Sequence, residues 1–206
     1  MSIIEKLASS LNRRDEVPNQ ELAKEIVLSK NKKAIKELVE NLSNKKAIQN
    51  DCIKVLYEIG EQEPKLIANY INKFVEQLNS KNNRLQWGSM IALNTITNEL
   101  PKEIYTILPT ILEVADKGSV ITKDHAINIL IKLCAIKDYS GGAFTLLIEQ
   151  LLKSPTNQLP MYAERAVPII DEKNKTLFVK TLTTRLSDVE KETKRKRIEK
   201  VIKKFK

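Results

Sequence analysis

Two prolines recur in matching contexts, Glu63-Pro64-Lys65 and Leu100-Pro101-Lys102, and mark a repeat of about 37 residues that runs from Lys32 onward. The same spacing links Leu56, Leu93, Leu130 and Val167, and again Ile59, Ile96, Leu133 and Ile170. A unit of that length is a pair of helices that cannot bury its apolar face alone, so neighbouring units must stack. The expectation is an all-α array of stacked helical hairpins, a scaffold that binds along an extended surface.

Composition agrees. The chain has 206 residues, of which 42% are hydrophobic, 30% charged and 5% aromatic, with only 5 Gly. Long solvated helix faces account for that charge better than a sandwich or barrel does. Cys52 and Cys134 fall inside apolar helical patterns, which makes both buried thiols. A single histidine, His125, leaves no multi-His metal site, and no metal or cofactor is expected. The first residues carry the Glu5-Lys6 pair where a signal peptide needs an unbroken apolar core. The richest apolar run, residues 127–136, is interrupted by Asn128 and Lys132, so no membrane span is expected. These points predict a cytoplasmic chain.

Each repeat reads as a helix A, a polar turn and a helix B. Repeat one covers residues 32–63 with its turn at Ser43-Asn44. In repeat two (64–100), helix A is read over 66–78 and helix B over 83–97. Repeats three and four cover 101–138 and 139–172, and a fifth begins at Lys173. Pro64 and Pro101 suit first-turn positions, where the missing N–H costs nothing. Residues 2–11 and 19–29 read as two further helices that cover the open face of repeat one. The whole is expected to be one domain, 1–206: capping helices in 1–31, repeats in 32–190 and a basic capping helix in 191–206.

Leu108-Pro109-Thr110-Ile111-Leu112 resembles the proline-containing A helix of HEAT repeats. Ser80-Lys81-Asn82-Asn83-Arg84-Leu85, leading to Ala92-Leu93, resembles the amide turn and arginine that open the B helix. Repeats one and four depart from the pattern, with Ala47 and Gln158 at the position of Arg84. The resemblance covers most of the chain. It implies a HEAT-like solenoid, a right-handed α-α superhelix of about five hairpins plus N-terminal capping helices, whose B helices line a concave binding surface.

Overlaying the B helices sorts positions into columns. The central column, Cys52, Ser89, Ala126 and Ala163, is all small and lets the paired A helix approach closely. The columns of Ile48, Leu85, Thr122, Leu159 and of Val55, Ala92, Ile129, Ala166 complete an apolar stripe. The far face should hold Asn50, Lys54 and Tyr57, then Trp87, Ile91 and Asn94, then Asp124, Asn128 and Ile131, then Met161, Arg165 and Pro168. In the fifth repeat Lys196, Lys200 and Lys203 fall on the same face. Trp87, the only tryptophan, is either an exposed binding anchor or a residue packed sideways on the neighbouring repeat. Pro168 should kink its helix or cut it short.

Charge is uneven. Residues 191–206 hold nine Lys/Arg against two Glu, +7 of the formal +9. That run reads as a solvated polar face, a contact for nucleic-acid phosphates, or a contact for an acidic protein segment or anionic membrane surface. Asp124 and His125 are neighbours on a helix and point about 100° apart, which does not make a catalytic pair. With no phosphate-binding Gly loop and no nucleophile motif, no enzyme is expected.

The favoured expectation is a non-catalytic scaffold for an acidic partner, most readily a protein. Its contacts come from Tyr57, Trp87, Ile91, Asn94, Asn128, Ile131, Arg165, Lys196, Lys200 and Lys203. The alternative is nucleic-acid binding. HEAT-like alkylpurine DNA glycosylases hold damaged DNA with concave aromatics and an aspartate, and Trp87 and Asp124 invite the comparison. Those two residues lie in successive repeats and no second tryptophan exists, so the activity is not carried over.

Overall fold

A computed structural model of the chain describes residues 2–205. Among the described residues there are thirteen α-helices and no strand. A 3₁₀ turn at Ile3–Lys6 precedes α1 (Val17–Ser29), α2 (Lys32–Glu40), α3 (Lys46–Gln62), α4 (Lys65–Ala68) and α5 (Ile71–Gln77). Then come α6 (Asn83–Thr95), α7 (Pro101–Thr106), α8 (Leu108–Lys117) and α9 (Val120–Cys134). The last four are α10 (Ser140–Lys153), α11 (Leu159–Ala166), α12 (Lys175–Arg185) and α13 (Glu192–Lys203). The chain divides into two compact units, Met1–Ala126 and Ile127–Lys206.

Local chemistry sets most of these boundaries. The Asn31 side chain accepts from Ala34 N–H at 3.0 Å to cap α2, and Asn82 accepts from Arg84 N–H at 3.2 Å to cap α6. Pro101 opens α7 from its first position. The A helix of repeat three is broken at Ile107, because the ring of Pro109 clashes with the carbonyl four residues back, at Tyr105. The A helix of repeat two, expected unbroken over 66–78, is also interrupted, between α4 and α5. Pro168 ends α11 at Ala166 and leaves a single 3₁₀ turn, Val167–Ile169.

The start of the chain differs from the helix read over residues 2–11. Only Ile3–Lys6 is helical, as a 3₁₀ turn. Ala8 N–H donates to the buried Asn19 Oδ1 at 3.0 Å, and Ser9 N–H donates to Asp51 Oδ2 at 2.8 Å. Asn19 Nδ2 in turn donates to Asp51 Oδ1 at 2.8 Å. Side chains on α1 and α3 therefore take the backbone donors that a helix would have used.

In the first unit α3 lies between α1 and α6 and packs on both, with α2 against α3 and α5 against α6. Cys52, Val55, Leu56 and Ile59 on α3, and Ser89, Ala92 and Leu93 on α6 with Ile96 at its end, are fully buried and form the core, while Ile48, expected in the same stripe, is half-buried. The α3–α6 approach is close enough that a Cβ on Gly88 would lie 2.7 Å from Ile53 Cγ1. Burial of the apolar stripe by these helices is the main stabilising term.

In the second unit α10 packs on α12, α11 on α13, and α12 on α13, where Phe178 and Phe205 meet edge to face at 5.8 Å. Ala163 and Ala166 are buried, whereas Val167 and Ile170, expected in the core columns, are half-buried. The loss of helix at Pro168 turns them out of phase with the stripe. The buried Arg185 donates to the carbonyls of Leu151 at 2.8 Å, Leu152 at 2.5 Å and Ser154 at 3.0 Å, and to Asp188 Oδ2 at 2.7 Å. One guanidinium thus satisfies the last carbonyls of α10 and places a positive charge at that helix's C-terminus.

The Gly88 contact generates a measurable expectation. Gly88→Ala gains about 1 kcal/mol of helix propensity but overpacks Ile53 at a cost of about 1–3 kcal/mol, for a net loss of up to about 2 kcal/mol. Ile53→Ala removes the clashing carbons, so urea unfolding of the double variant should show less destabilisation than the two single losses added together. Strict additivity would mean the two residues do not define the seam.

Candidate functional site

The B helices supply two clusters, one in each unit. In the first, α3 carries Lys54, Tyr57 and Glu58 one turn apart, and α6 carries Arg84 and Trp87 one turn apart, so each set shares a helix face. Glu16, at the N-terminal end of α1, reaches both helices: its Oε2 lies 3.1 Å from Lys54 Nζ, and its Oε1 accepts from Arg84. Lys54 also donates to Glu58. The Lys54 ammonium sits 4.8 Å from the centre of the Tyr57 ring. Tyr57 and Trp87 meet at 6.0 Å with a 48° tilt, and the Arg84 guanidinium lies 5.8 Å from the Trp87 ring. The sequence cation, aromatic, aromatic, cation, held at both ends by Glu16, makes a stacked clasp across three helices.

Burial alone would lower the Lys54 pKa, but hydrogen bonds to Glu58, Tyr57 and Glu16 outweigh it and leave it raised. The ammonium therefore stays charged although only 6% of the residue is exposed. Burial raises the Tyr57 phenol. Further along this unit, Asn94 Nδ2 and His125 Nδ1 are 3.0 Å apart, so the imidazole faces an amide, with Asp124 half-buried beside it in sequence.

The second cluster lies on α11 and α13 with the latter part of α9. Arg165 Nη1 donates to Asn128 Oδ1 at 3.2 Å, a bond between residues 37 apart. The Arg197 fork grips Glu164 at 2.8 and 2.6 Å. That pair, with Lys200 and Lys204 nearby, holds the Glu164 carboxyl below its ordinary value. Lys194 Nζ donates to Asn157 Oδ1 at 2.6 Å, again across 37 residues, and Lys196 pairs with Glu192 at 2.6 Å. Arg165, Lys200, Lys203 and Lys204 are exposed, and none forms an ion pair with a described residue. Residues 127–206 contain 17 Lys/Arg against 9 Asp/Glu, whereas residues 1–126 contain 18 against 17.

The ten residues read as a binding face therefore divide. Arg165, Lys196, Lys200 and Lys203 are exposed, and Asn128 and Ile131 are half-buried, all in the second unit. In the first unit Trp87 and Asn94 are half-buried, while Tyr57 and Ile91 are only 6% and 7% exposed. Lys54, also placed on the open face by helical phase, is buried. A wheel drawn for one helix omits its neighbours, and here α1 and α6 close over both flanks of α3. Trp87 takes the sideways packing that was the alternative to an exposed anchor. Sequence reasoning missed Glu16, Arg84 and Glu164 as organisers of these clusters. A search for opposite charges about one repeat apart would have found the Glu16–Lys54 and Glu164–Arg197 pairs.

The cysteines are free, Cys52 buried and Cys134 half-buried, and burial pushes both thiols up to about 12. Neither is a ready nucleophile at neutral pH. Among the described residues no group of three or more His, Cys, Asp or Glu is placed to hold a metal ion, and no helix is long and apolar enough to cross a membrane. No protein-family model matches the chain, and no curated protein matches it.

Two outcomes follow from these charges. Lys54→Met keeps the stem packed and removes the buried charge, so its stability should stay within about 1 kcal/mol of the parent. The Glu16→Ala/Glu58→Ala double variant strands the ammonium and should cost about 3 kcal/mol by urea unfolding. The second concerns pH. Glu164 has a depressed folded pKa, so its ion pair stabilises the fold fully above its ordinary value of 4.5, and that contribution is lost as pH falls through the depressed value. Solvent limits it to about 1 kcal/mol or less. Arg197→Gln should lower the melting temperature near neutral pH and converge on the parent in acid; a constant offset at every pH would show that the pair contributes nothing.

Proposed function

We propose that this chain is a non-catalytic HEAT-like scaffold that binds an acidic protein surface through its B helices. Three features support the solenoid reading. The helices α1, α3 and α6 pack side by side, the small residues of the central column are buried, and polar bonds join residues one repeat apart at Asn128–Arg165 and Asn157–Lys194. The observation that carries the binding reading is the exposed, incompletely neutralised basic face of α11 and α13, with Arg165, Lys196, Lys200 and Lys203. Ammonium and guanidinium groups left without carboxylates attract an acidic surface and orient it at first encounter. Asn128 and Ile131 offer a hydrogen bond and an apolar contact in the same unit.

The same cations would neutralise phosphates, so the test carries both probes. Labelled polyglutamate and a labelled DNA duplex are titrated into the full chain at two salt concentrations. Binding of polyglutamate should fall by about tenfold or more when Lys196, Lys200 and Lys203 are changed together to Glu. Full binding by the triple variant would mean this surface is wrongly assigned. Tight duplex binding with a steep salt slope, and no polyglutamate binding, would replace the acidic protein with nucleic acid.

A further inference from the structure

In the first unit the end of α1, the start of α2 and the α3–α4 junction surround an open cavity of about 470 Å³. That is the size of a small-ligand site. Lys30, Lys32 and Lys65 line it, all three exposed. None of these ammonium groups forms an ion pair or side-chain hydrogen bond with a described residue. Lys36, Lys73 and Lys117 of the same unit, by contrast, each pair with a glutamate three or four residues away. The one carboxylate lining the cavity is Glu63, which leaves a formal charge of +2 around it.

Lys30 adds a second observation. It follows α1 with φ 49° and ψ 39°, in the left-handed region. Its N–H donates to Val27 O, and Asn31 N–H donates to Ile26 O, both at 3.2 Å, which is the helix ending that ordinarily takes glycine. A lysine there costs backbone strain that glycine would not. What the strained position provides is a third ammonium at the cavity.

We propose that this cavity binds a small organic phosphate, a dianionic monoester. The phosphoryl group carries about −1.5 to −2 charge at neutral pH, which matches the +2 of the lining, whereas a monocarboxylate would leave a lysine uncompensated. The half-buried Leu66, backed by the buried Ile35, lines the cavity as its apolar wall and receives the carbon skeleton. Glu63, Asn69 and Tyr70 supply acceptors and donors for polar substituents on that skeleton. The site is independent of the basic face on α11 and α13.

The test uses the ¹⁵N-labelled full chain titrated with inorganic phosphate and with phenyl phosphate at constant ionic strength. Phenyl phosphate should shift the amides of residues 30–35 and 63–70 saturably and bind more tightly than inorganic phosphate. Lys32→Gln and Lys65→Gln should each weaken binding by about fivefold. Lys30→Gly should weaken it similarly while raising the melting temperature by about 2–4 °C, a combination that a merely structural lysine would not give. The proposal is overturned if those amides do not saturate, or if the shifts are as large at the lysines of α13. It is equally overturned if the glutamine variants bind as the parent does, or if phenyl phosphate binds no better than inorganic phosphate.

Discussion

The first unit depends on how closely α3 and α6 can approach. At that seam there is no room for one more carbon: a Cβ on Gly88 would enter the space of Ile53. The small side chains of Cys52 and Ser89, next in sequence to Ile53 and Gly88, are fully buried as well. Interiors packed to this density lose stability from an added methyl as well as from a removed one. The close approach is also what brings Tyr57 within 6.0 Å of Trp87, so the aromatic pair follows from the choice of glycine one residue after the tryptophan. Lys54 and Arg84 then cover the outer rings, and Glu16 ties them to the start of α1.

The two units handle charge in opposite ways. In the first, cations and carboxylates are almost equal in number, and the one buried ammonium is given Glu16 and Glu58 as partners. A buried ammonium of this kind adds little net stability over an apolar substitute, but stripping it of its carboxylates is costly, so the clasp fixes which helices meet. In the second unit several lysines of α13 are left without a carboxylate. Their mutual repulsion is a standing cost to the folded state. Part of it is offset by fixed uses of charge: Arg185 caps α10, Arg197 holds Glu164, and Lys194 holds the Asn157 loop. Lys203 has no such use, and Lys200 and Lys204 act on Glu164 only at a distance.

The all-helical fold was legible because a repeat prints the same packing demand several times. Leu56, Leu93 and Leu130 occupy equivalent buried positions, and one helical phase accounts for all three. What the repeat could not print is what happens between elements. Asn19 and Asp51 capture the backbone of Ala8 and Ser9 and prevent the helix expected there. Pro168 was read as a break, yet the break also moves Val167 and Ile170 out of the core columns they were assigned to. Tyr57, Ile91 and Lys54, placed on an open face by the phase of a single helix, are buried. Arg185 has no motif at all, because its partners are carbonyls, which every residue has.

That last distinction bears on which surface can bind. A side chain already committed to internal partners must lose them before it can meet a ligand, and the lost contacts subtract from any affinity gained. Trp87, stacked between Tyr57 and Arg84, would have to leave two favourable contacts to act as an anchor. Lys200 and Lys203 of α13, and the lysines around the cavity beside α2, give up only water and counter-ions, whose release itself favours association with a polyanion. In this chain the sequence feature that looks most like an anchor is therefore occupied in holding the fold. The ordinary lysines are the groups whose pairing the fold leaves incomplete, and a partner that completes it gains the most.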